Sequence, residues 1–381
     1  MRIRSITLYH LELPFAQAFS HSVKHRTVSE TLIARVESNQ GVVGFGEGAP
    51  RPYVTGETLD GAMTSIASEI WPTLRTITFP ALRTTTDLGL ISRLIPTPAP
   101  QDRVRWHAYR CAVELALLDC LLREAGIGLA ELLPARRQRI RYSGVVGTVS
   151  VEEARRLGRQ MKRAGLSAIK VKVGSGDDVA RLKAVREVCG PEMSLRVDAN
   201  GAWNVEEAAS MLAQFEPYRI DAIEEPIVCR DPGALRSLKQ RTAIPIVVDE
   251  SLATVEDALA LVEAGACDIF NIRVSKCGGL VPSLDIAEVA HTHGVQVQVG
   301  AHVGETAVLS AAGRHLAAAI PRVRFVEGSF GTHLLTEDVS EEDIRFGYGG
   351  EAQVLTGPGY GITVQERILA KYATRVVQLA E

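Results

Sequence analysis

Four short apolar runs in the middle of the chain each end in charged residues. They are Ala-Ile-Lys-Val-Lys-Val-Gly at 168–174, Leu-Arg-Val-Asp-Ala-Asn-Gly at 195–201, Ala-Ile-Glu-Glu-Pro at 222–226 and Ile-Pro-Ile-Val-Val-Asp-Glu-Ser at 244–251. Runs this short, bounded by Gly or Pro and spaced by segments of helical length, read as β-strands alternating with helices. The rhythm predicts strands near 142–147, 168–173, 194–199, 221–225, 245–249, 268–275, 295–301 and 322–327, with helices such as 151–164 and 205–214 between them. Eight such repeats predict an α/β fold of the TIM-barrel type.

The first third breaks this rhythm. Residues 2–13 and 31–46 pattern as strands, the second turning at 38–41 where Asn39 and Gly41 suit a hairpin, and helices are expected at about 56–74 and 101–125. An α+β domain over 1–130, a barrel over 140–328 and a C-terminal segment over 329–381 that packs back on the first domain are the expected divisions, the last ending in a further helical stretch. Two predicted loops, 14–26 and 48–58, carry polar and aromatic groups. Arg26, Arg51 and Tyr53 are the candidates there for gripping a substrate, through guanidinium–carboxylate pairs and a hydroxyl donor.

In a parallel barrel the carboxyl ends of all strands lie on one face. Asp198, Glu224 and Asp249 should therefore converge, with Lys170 and Lys172 beside them. Three adjacent carboxylates repel one another unless a cation neutralises them, and an all-oxygen set suits Mg²⁺ or Mn²⁺ better than zinc. The remaining composition narrows the picture. With 381 residues, 46% hydrophobic and a net charge of −3, the chain lacks the clustered basic residues that track nucleic acid. No run approaches a membrane span, and the amino terminus does not read as a signal peptide. The six cysteines show no metal-type spacing, so buried free thiols in a reducing cytoplasm are expected.

Taken together, the Lys-x-Lys at 170 and 172, the Asp-x-Asn at 198 and 200, the Glu-Glu-Pro from 224, the Asp-Glu-Ser from 249, Cys277-Gly-Gly, and the C-terminal Leu334-Leu-Thr-Glu-Asp and Thr356-Gly-Pro-Gly resemble the enolase superfamily, in particular its muconate-lactonizing-enzyme subgroup. The resemblance spans essentially the whole chain. It implies an α+β cap over a modified (β/α)₇β barrel, one Mg²⁺ or Mn²⁺ held by Asp198, Glu224 and Asp249, and removal of the proton α to the carboxylate of a small acid. It also implies that Lys172 is the acid/base, that Lys170 is its electrostatic neighbour, that Asn200 lies at the substrate, and that Glu327 stands where lactonizing enzymes carry a site glutamate. A homo-oligomer is expected.

The chemistry has a physical basis independent of the resemblance. The aci-carboxylate left by α-proton removal carries two negative charges, which a divalent cation stabilises. Nearby positive charge lowers the pKa of the lysine base. On the sixth barrel strand the chain departs from the subgroup pattern. Where many members place a second lysine, five residues before the Gly-Gly pair, stands Arg273, a poor base but a good carboxylate holder. Lys276 is expected to turn to another side as a structural cation. One lysine favours chemistry on one face of the carbon: β-elimination or lactone cycloisomerisation, with His302 or Glu327 as the partner acid. Dipeptide or N-acylamino-acid epimerisation, acid-sugar or hydroxyacid dehydration, and a non-catalytic acid-binding barrel stay open as alternatives.

Overall fold

A long antiparallel hairpin opens the chain, β1 (Ile3–His21) against β2 (Lys24–Ser38), followed by β3 (Val43–Gly48). The computed structural model describes residues 1–21, 24–97, 106–227, 231–328 and 330–380, excluding the side chains of 17–26, 330 and 331. The predicted turn at 38–41 is present, closed by bonds from Ser38 N to Val42 O and from Gly41 N to Ser38 O. The predicted loop at 14–26 is corrected. Both strands run on through it, and the register shifts between Pro14 and Phe19, where proline has no N–H to give the ladder. The hairpin thereby reaches the barrel mouth: Ser29 Oγ donates to Gly304 O at 2.5 Å, and Phe15 bridges to Leu335.

Of the expected helices in this region, 56–74 appears as Leu59–Ser65 and Trp71–Leu74, joined by a π-helical turn, Ile66–Ile70. The second is His107–Ala125, and a further helix, Thr85–Arg93, was not foreseen. His107–Ala125 is buried nearly all round because it lies between β3 and the barrel. It approaches β3 over Gly44, Gly46 and Gly48, three alternate positions facing one side of the strand. A Cβ on any of them would overlap helix backbone, at Cys120, Ala112 and Ala108 respectively.

Two short strands, β4 (Arg139–Arg141) and, much later, β13 (Glu351–Gln353), pair with each other. Between them lies the barrel: β5 (Gly144–Val146), β6 (Ala168–Lys172), β7 (Ser194–Asp198), β8 (Ala222–Glu224), β9 (Ile246–Val248), β10 (Ile269–Ile272), β11 (Gln296–Val299) and β12 (Val323–Val326). They form one parallel sheet in chain order, and a bond from Ser143 N to Val326 O ties its two edges together. Inside the barrel, Ala222, Val247, Ile269 and Phe325 make a small apolar cluster. With a side-chain period of two, each is followed two residues later by a polar group of the mouth: Glu224, Asp249, Asn271 and Glu327.

The further helical stretch expected in the C-terminal segment is Glu366–Tyr372, and β14 (Ala373–Ala380) then adds to the first sheet beside β1, giving the order β14-β1-β2-β3. Cys111, Cys120, Cys189, Cys267 and Cys277 are buried free thiols, and Cys229 lies outside the described residues. Among the described residues no helix is long and apolar enough to cross a membrane.

The glycine-lined contact yields a direct expectation. In Gly46→Ala the new methyl meets the Ala112 carbonyl and the Ala116 nitrogen, backbone atoms that cannot swing aside. Denaturant unfolding should show a loss of about 1–3 kcal/mol, the range for overpacking a tight core.

Candidate active site

The parallel register fixes the first part of the site. Lys172 pairs with Asp198 across β6 and β7, and Asp198 with Glu224 across β7 and β8, so these residues stand side by side at the mouth. Lys172 Nζ donates to Asp198 Oδ2 at 2.5 Å and to Asn200 Oδ1 at 2.6 Å. Asn200, held at φ 46°, also gives its backbone N–H to Asp198 Oδ1 and its amide to Glu250. Lys170, one pleat deeper, bonds Glu327 at 2.7 Å and both oxygens of Glu224 at 3.3 Å, with Asp198 at 3.2 Å. Burial alone would lower the Lys170 pKa, but these carboxylates outweigh it and hold the ammonium above its ordinary range. Asp198, although buried, is held below the usual carboxylate range by Lys172 and Lys170.

Glu224 is completed by two amides, from Asn271 Nδ2 at 2.9 Å and Gln298 Nε2 at 2.8 Å, which come from paired positions on β10 and β11. Asp249 meets cations instead. Lys276 Nζ binds its Oδ1 at 2.9 Å and its backbone O at 2.5 Å, and Arg273 Nη2 contacts its Oδ2 while lying 3.8 Å from Glu224 Oε1. The predicted alternation through residue 275 stops at Ile272, where the strand ends, so Lys276 turns back to Asp249 and to Asn271 O and does not line the cavity. Burial draws its pKa down to about 8. Glu225, bonded by Ser251 and by the backbone N–H of Asp249 at 2.7 Å, is pushed up to about 7 by burial, as is Glu250.

Part of this cluster borders one cavity at the barrel mouth. Lys170, Lys172, Arg273, His302 and Glu327 reach its wall, and Tyr53 reaches it from the cap; Val145, Ala301, Val303 and Leu334 supply apolar surface. Arg51 is a correction to the substrate-grip expectation. It is buried away from the wall, bonding the carbonyls of Glu30 and Pro50 at 2.9 Å and reaching toward Val303 O, so it joins the cap to the barrel loop. The Arg26 side chain lies outside the described residues. The loop carrying His302 is held by Glu305, which accepts the His302 backbone N–H at 2.6 Å and, just ahead of the Thr306 cap, sits outside the helix Ala307–Ala319 rather than in its first turn.

Glu327 is gripped by two cations, Lys170 and Arg196, the latter at 2.7 Å. Burial favours its neutral form, yet these cations win and bring its pKa from an ordinary 4.5 to about 2. Held ionised by these cations, the Glu327 carboxylate is a poor source of a proton for a leaving group. Arg196 was missed by sequence reasoning, together with Asn271 and Gln298. Its signal was available: it lies two residues before Asp198 on one strand and so on the same inner face. It is wholly buried, bonds Ser143 and stacks 4.1 Å from the Phe325 ring centre.

The three carboxylates expected to share a metal stand at neighbouring strand ends, but cations interleave them. Among the described residues no three acidic, His or Cys side chains gather closely enough, as they stand, to enclose an ion. The donor chemistry nonetheless fits a hard divalent cation. All donors are oxygens, and the Arg273 guanidinium acts as a stand-in cation against Asp249 Oδ2.

The comparisons agree with this architecture. Residues 151–368 match the family described as Enolase C-terminal domain-like. The solved N-succinyl Arg/Lys racemase of Bacillus cereus superposes with a TM-score of 0.90 at 25% identity, covering 100% of both chains. A dipeptide epimerase of Cytophaga hutchinsonii, solved with Mg and a dipeptide, gives 0.87 at 27% identity over 99% of this chain and 100% of that one. The 2-chloromuconate cycloisomerase of Rhodococcus opacus gives 0.88 at 27% identity over 98% and 100%. The fold and the strand-end charges define an enzyme of the modified (β/α)₇β barrel class. The chain belongs to the enolase superfamily, in the subgroup of mandelate racemase and muconate lactonizing enzyme.

The Arg196–Glu327 pair gives a pH-dependent expectation. A carboxylate whose folded pKa is depressed stabilises the fold above its unfolded pKa, and that contribution is lost as pH falls from about 4.5 through about 2. Arg196→Met removes one cation and returns the Glu327 pKa upward. Urea unfolding at pH 7 should show the variant less stable by about 3–5 kcal/mol, the cost of breaking a buried pair. The difference from the parent should shrink as pH is lowered toward 3.

Proposed function

We propose that the enzyme removes the proton α to the carboxylate of a small acid from one face only, with Lys172 as base, and completes either a syn β-elimination or an intramolecular addition of the cycloisomerase kind. The observation that carries this reading is the residue across the mouth. Four strands round the eight-stranded barrel from β6, the wall is formed by Arg273, which keeps its proton at any ordinary pH.

In this reading Asp198 and Asn200 aim the Lys172 amine at the cavity, and Lys170 remains a fixed positive charge behind it. Asp198, Glu224 and Asp249 would hold Mg²⁺ or Mn²⁺, which when bound supplies the positive charge that stabilises an enolate dianion. Arg273 pairs with a substrate carboxylate, Tyr53 offers a hydroxyl from the cap, and the apolar wall limits water at the reacting carbon. His302 is a group at the wall that can serve as the partner acid for a leaving oxygen.

The racemase and epimerase among the related structures favour a second reading, epimerisation. It requires a proton donor on the second face. Lys276 is enclosed beneath Asp249 and does not line the cavity, so that task would fall to Arg273 or His302.

Small carboxylic acids incubated in D₂O with Mg²⁺ test the proposal by NMR. The parent should exchange the α-proton, and Lys172→Ala should lose at least about 10²–10⁴-fold of that rate, the usual contribution of a positioned base. Exchange undiminished in Lys172→Ala would refute the assignment. Removing metal with EDTA, or changing Asp198, Glu224 or Asp249 to the amide, should abolish exchange, reversibly on adding Mg²⁺ in the first case. Full activity without metal would overturn that part. Arg273→Lys places a titratable amine across from Lys172 and should uncover slow racemisation of a substrate that the parent only eliminates or cyclises.

A further inference from the structure

We propose that Arg273 competes with the divalent cation for Asp249 and Glu224, and that the cation, by displacing the guanidinium toward the cavity, creates the docking point for a substrate carboxylate. This rests on the metal assignment above and adds a coupling to it: metal and carboxylate ligand each make the other bind more tightly.

The position of the guanidinium carries the argument. Arg273 touches Asp249 Oδ2 and approaches Glu224 Oε1 to 3.8 Å, so one side chain spans two of the three carboxylates. The guanidinium is engaged at one end only: among the described residues Arg273 Nε, buried in a side chain only 10% exposed, finds no acceptor. A guanidinium with an idle Nε–H is poorly satisfied where it is, and is built to grip a carboxylate through paired donors.

The neighbouring cations are better anchored. Lys276 is tied to two oxygens of Asp249 and to Asn271 O, Arg196 to Ser143 and Glu327, and Lys170 to Glu327 and Glu224. The cluster already sets these amines and Arg273 against its carboxylates, so two added positive charges raise the repulsion unless a cation withdraws. Arg273 has a route out: β10 ends at Ile272, and the side chain already reaches the cavity wall. Moved there, the whole fork faces the ligand. A carboxylate that captures it keeps it off Asp249, and by linkage the metal enhances carboxylate binding by the same factor.

Mn²⁺ binding read by electron paramagnetic resonance, with no turnover involved, tests this on the full-length protein. Arg273→Met should bind Mn²⁺ at least tenfold more tightly than the parent, while Arg273→Lys, which keeps a competing charge, should stay within about threefold of it. Succinate, used as a plain dicarboxylate probe, should tighten Mn²⁺ binding severalfold in the parent and leave Arg273→Met unchanged. The parent titration needs no variant and stands even where a substitution disturbs folding. Mn²⁺ affinity in Arg273→Met equal to or weaker than the parent's, or an absence of succinate coupling in the parent, overturns the competition while leaving the metal assignment intact. An absence of Mn²⁺ binding in every protein overturns both.

Discussion

The repulsion between carboxylates crowded at one end of a parallel barrel is the constraint to which the rest of this structure answers. Parallel strands in register leave no freedom to separate Asp198 from Glu224, because the ladder itself sets them side by side. Each fully buried carboxylate must be met by donors or by charge, or else take up a proton. All three solutions occur within one layer. Lysines answer Asp198, amides from Asn271 and Gln298 help answer Glu224, and the flanking Glu225 and Glu250 rise to about 7. A site organised this way is preset for chemistry that generates new negative charge on a substrate oxygen, since its donors are already oriented and dry.

The cap is held to this mouth by the same economy of buried charge. Glu47 on β3 is fully enclosed, and its carboxylate takes the N–H and hydroxyl of Thr306 at 3.0 and 2.7 Å and the N–H of Leu309 at 2.9 Å. A carboxylate at the start of a helix meets unpaired N–H donors and the positive end of the dipole, so the cap is fastened to the helix that follows β11. Arg51 fastens it again, bonding Glu30 O and Pro50 O within the cap and reaching toward Val303 O of the barrel loop. Among the described residues the cap brings Tyr53 to the cavity wall.

Much of the barrel was legible because short apolar runs ending in charge are hard to read any other way, and the strand-end residues Lys172, Asp198, Glu224 and Asp249 follow from that pattern. The misreadings have separate physical causes. Arg196 was overlooked because an arginine inside an apolar run reads as an interruption, although its spacing from Asp198 puts it on the inner face. The sixth barrel strand ends at Ile272 and not at residue 275, because alternation alone does not mark where a strand stops. A polar segment points to Arg51 as a ligand-binding side chain, whereas its donors go to the cap carbonyls of Glu30 and Pro50 and toward Val303 O, which only the docked cap brings near. Beyond the helix Glu366–Tyr372 the chain forms β14, which no expectation covered, because a vacant edge beside β1 rewards pairing more than local propensity does. Family membership and fold were therefore readable from local pattern, while the partners of individual charges depend on contacts between residues distant in sequence, 157 positions apart for Lys170 and Glu327.

The central claim is that protons move on one face of the α-carbon, at Lys172. The stereochemistry of deuterium incorporation into a chiral acid in D₂O tests it most directly. Exchange with retention of configuration, with no accumulation of the opposite enantiomer, is the result the account predicts. Racemisation at a rate comparable with exchange would contradict it, because a second residue would then be delivering a proton from the far side.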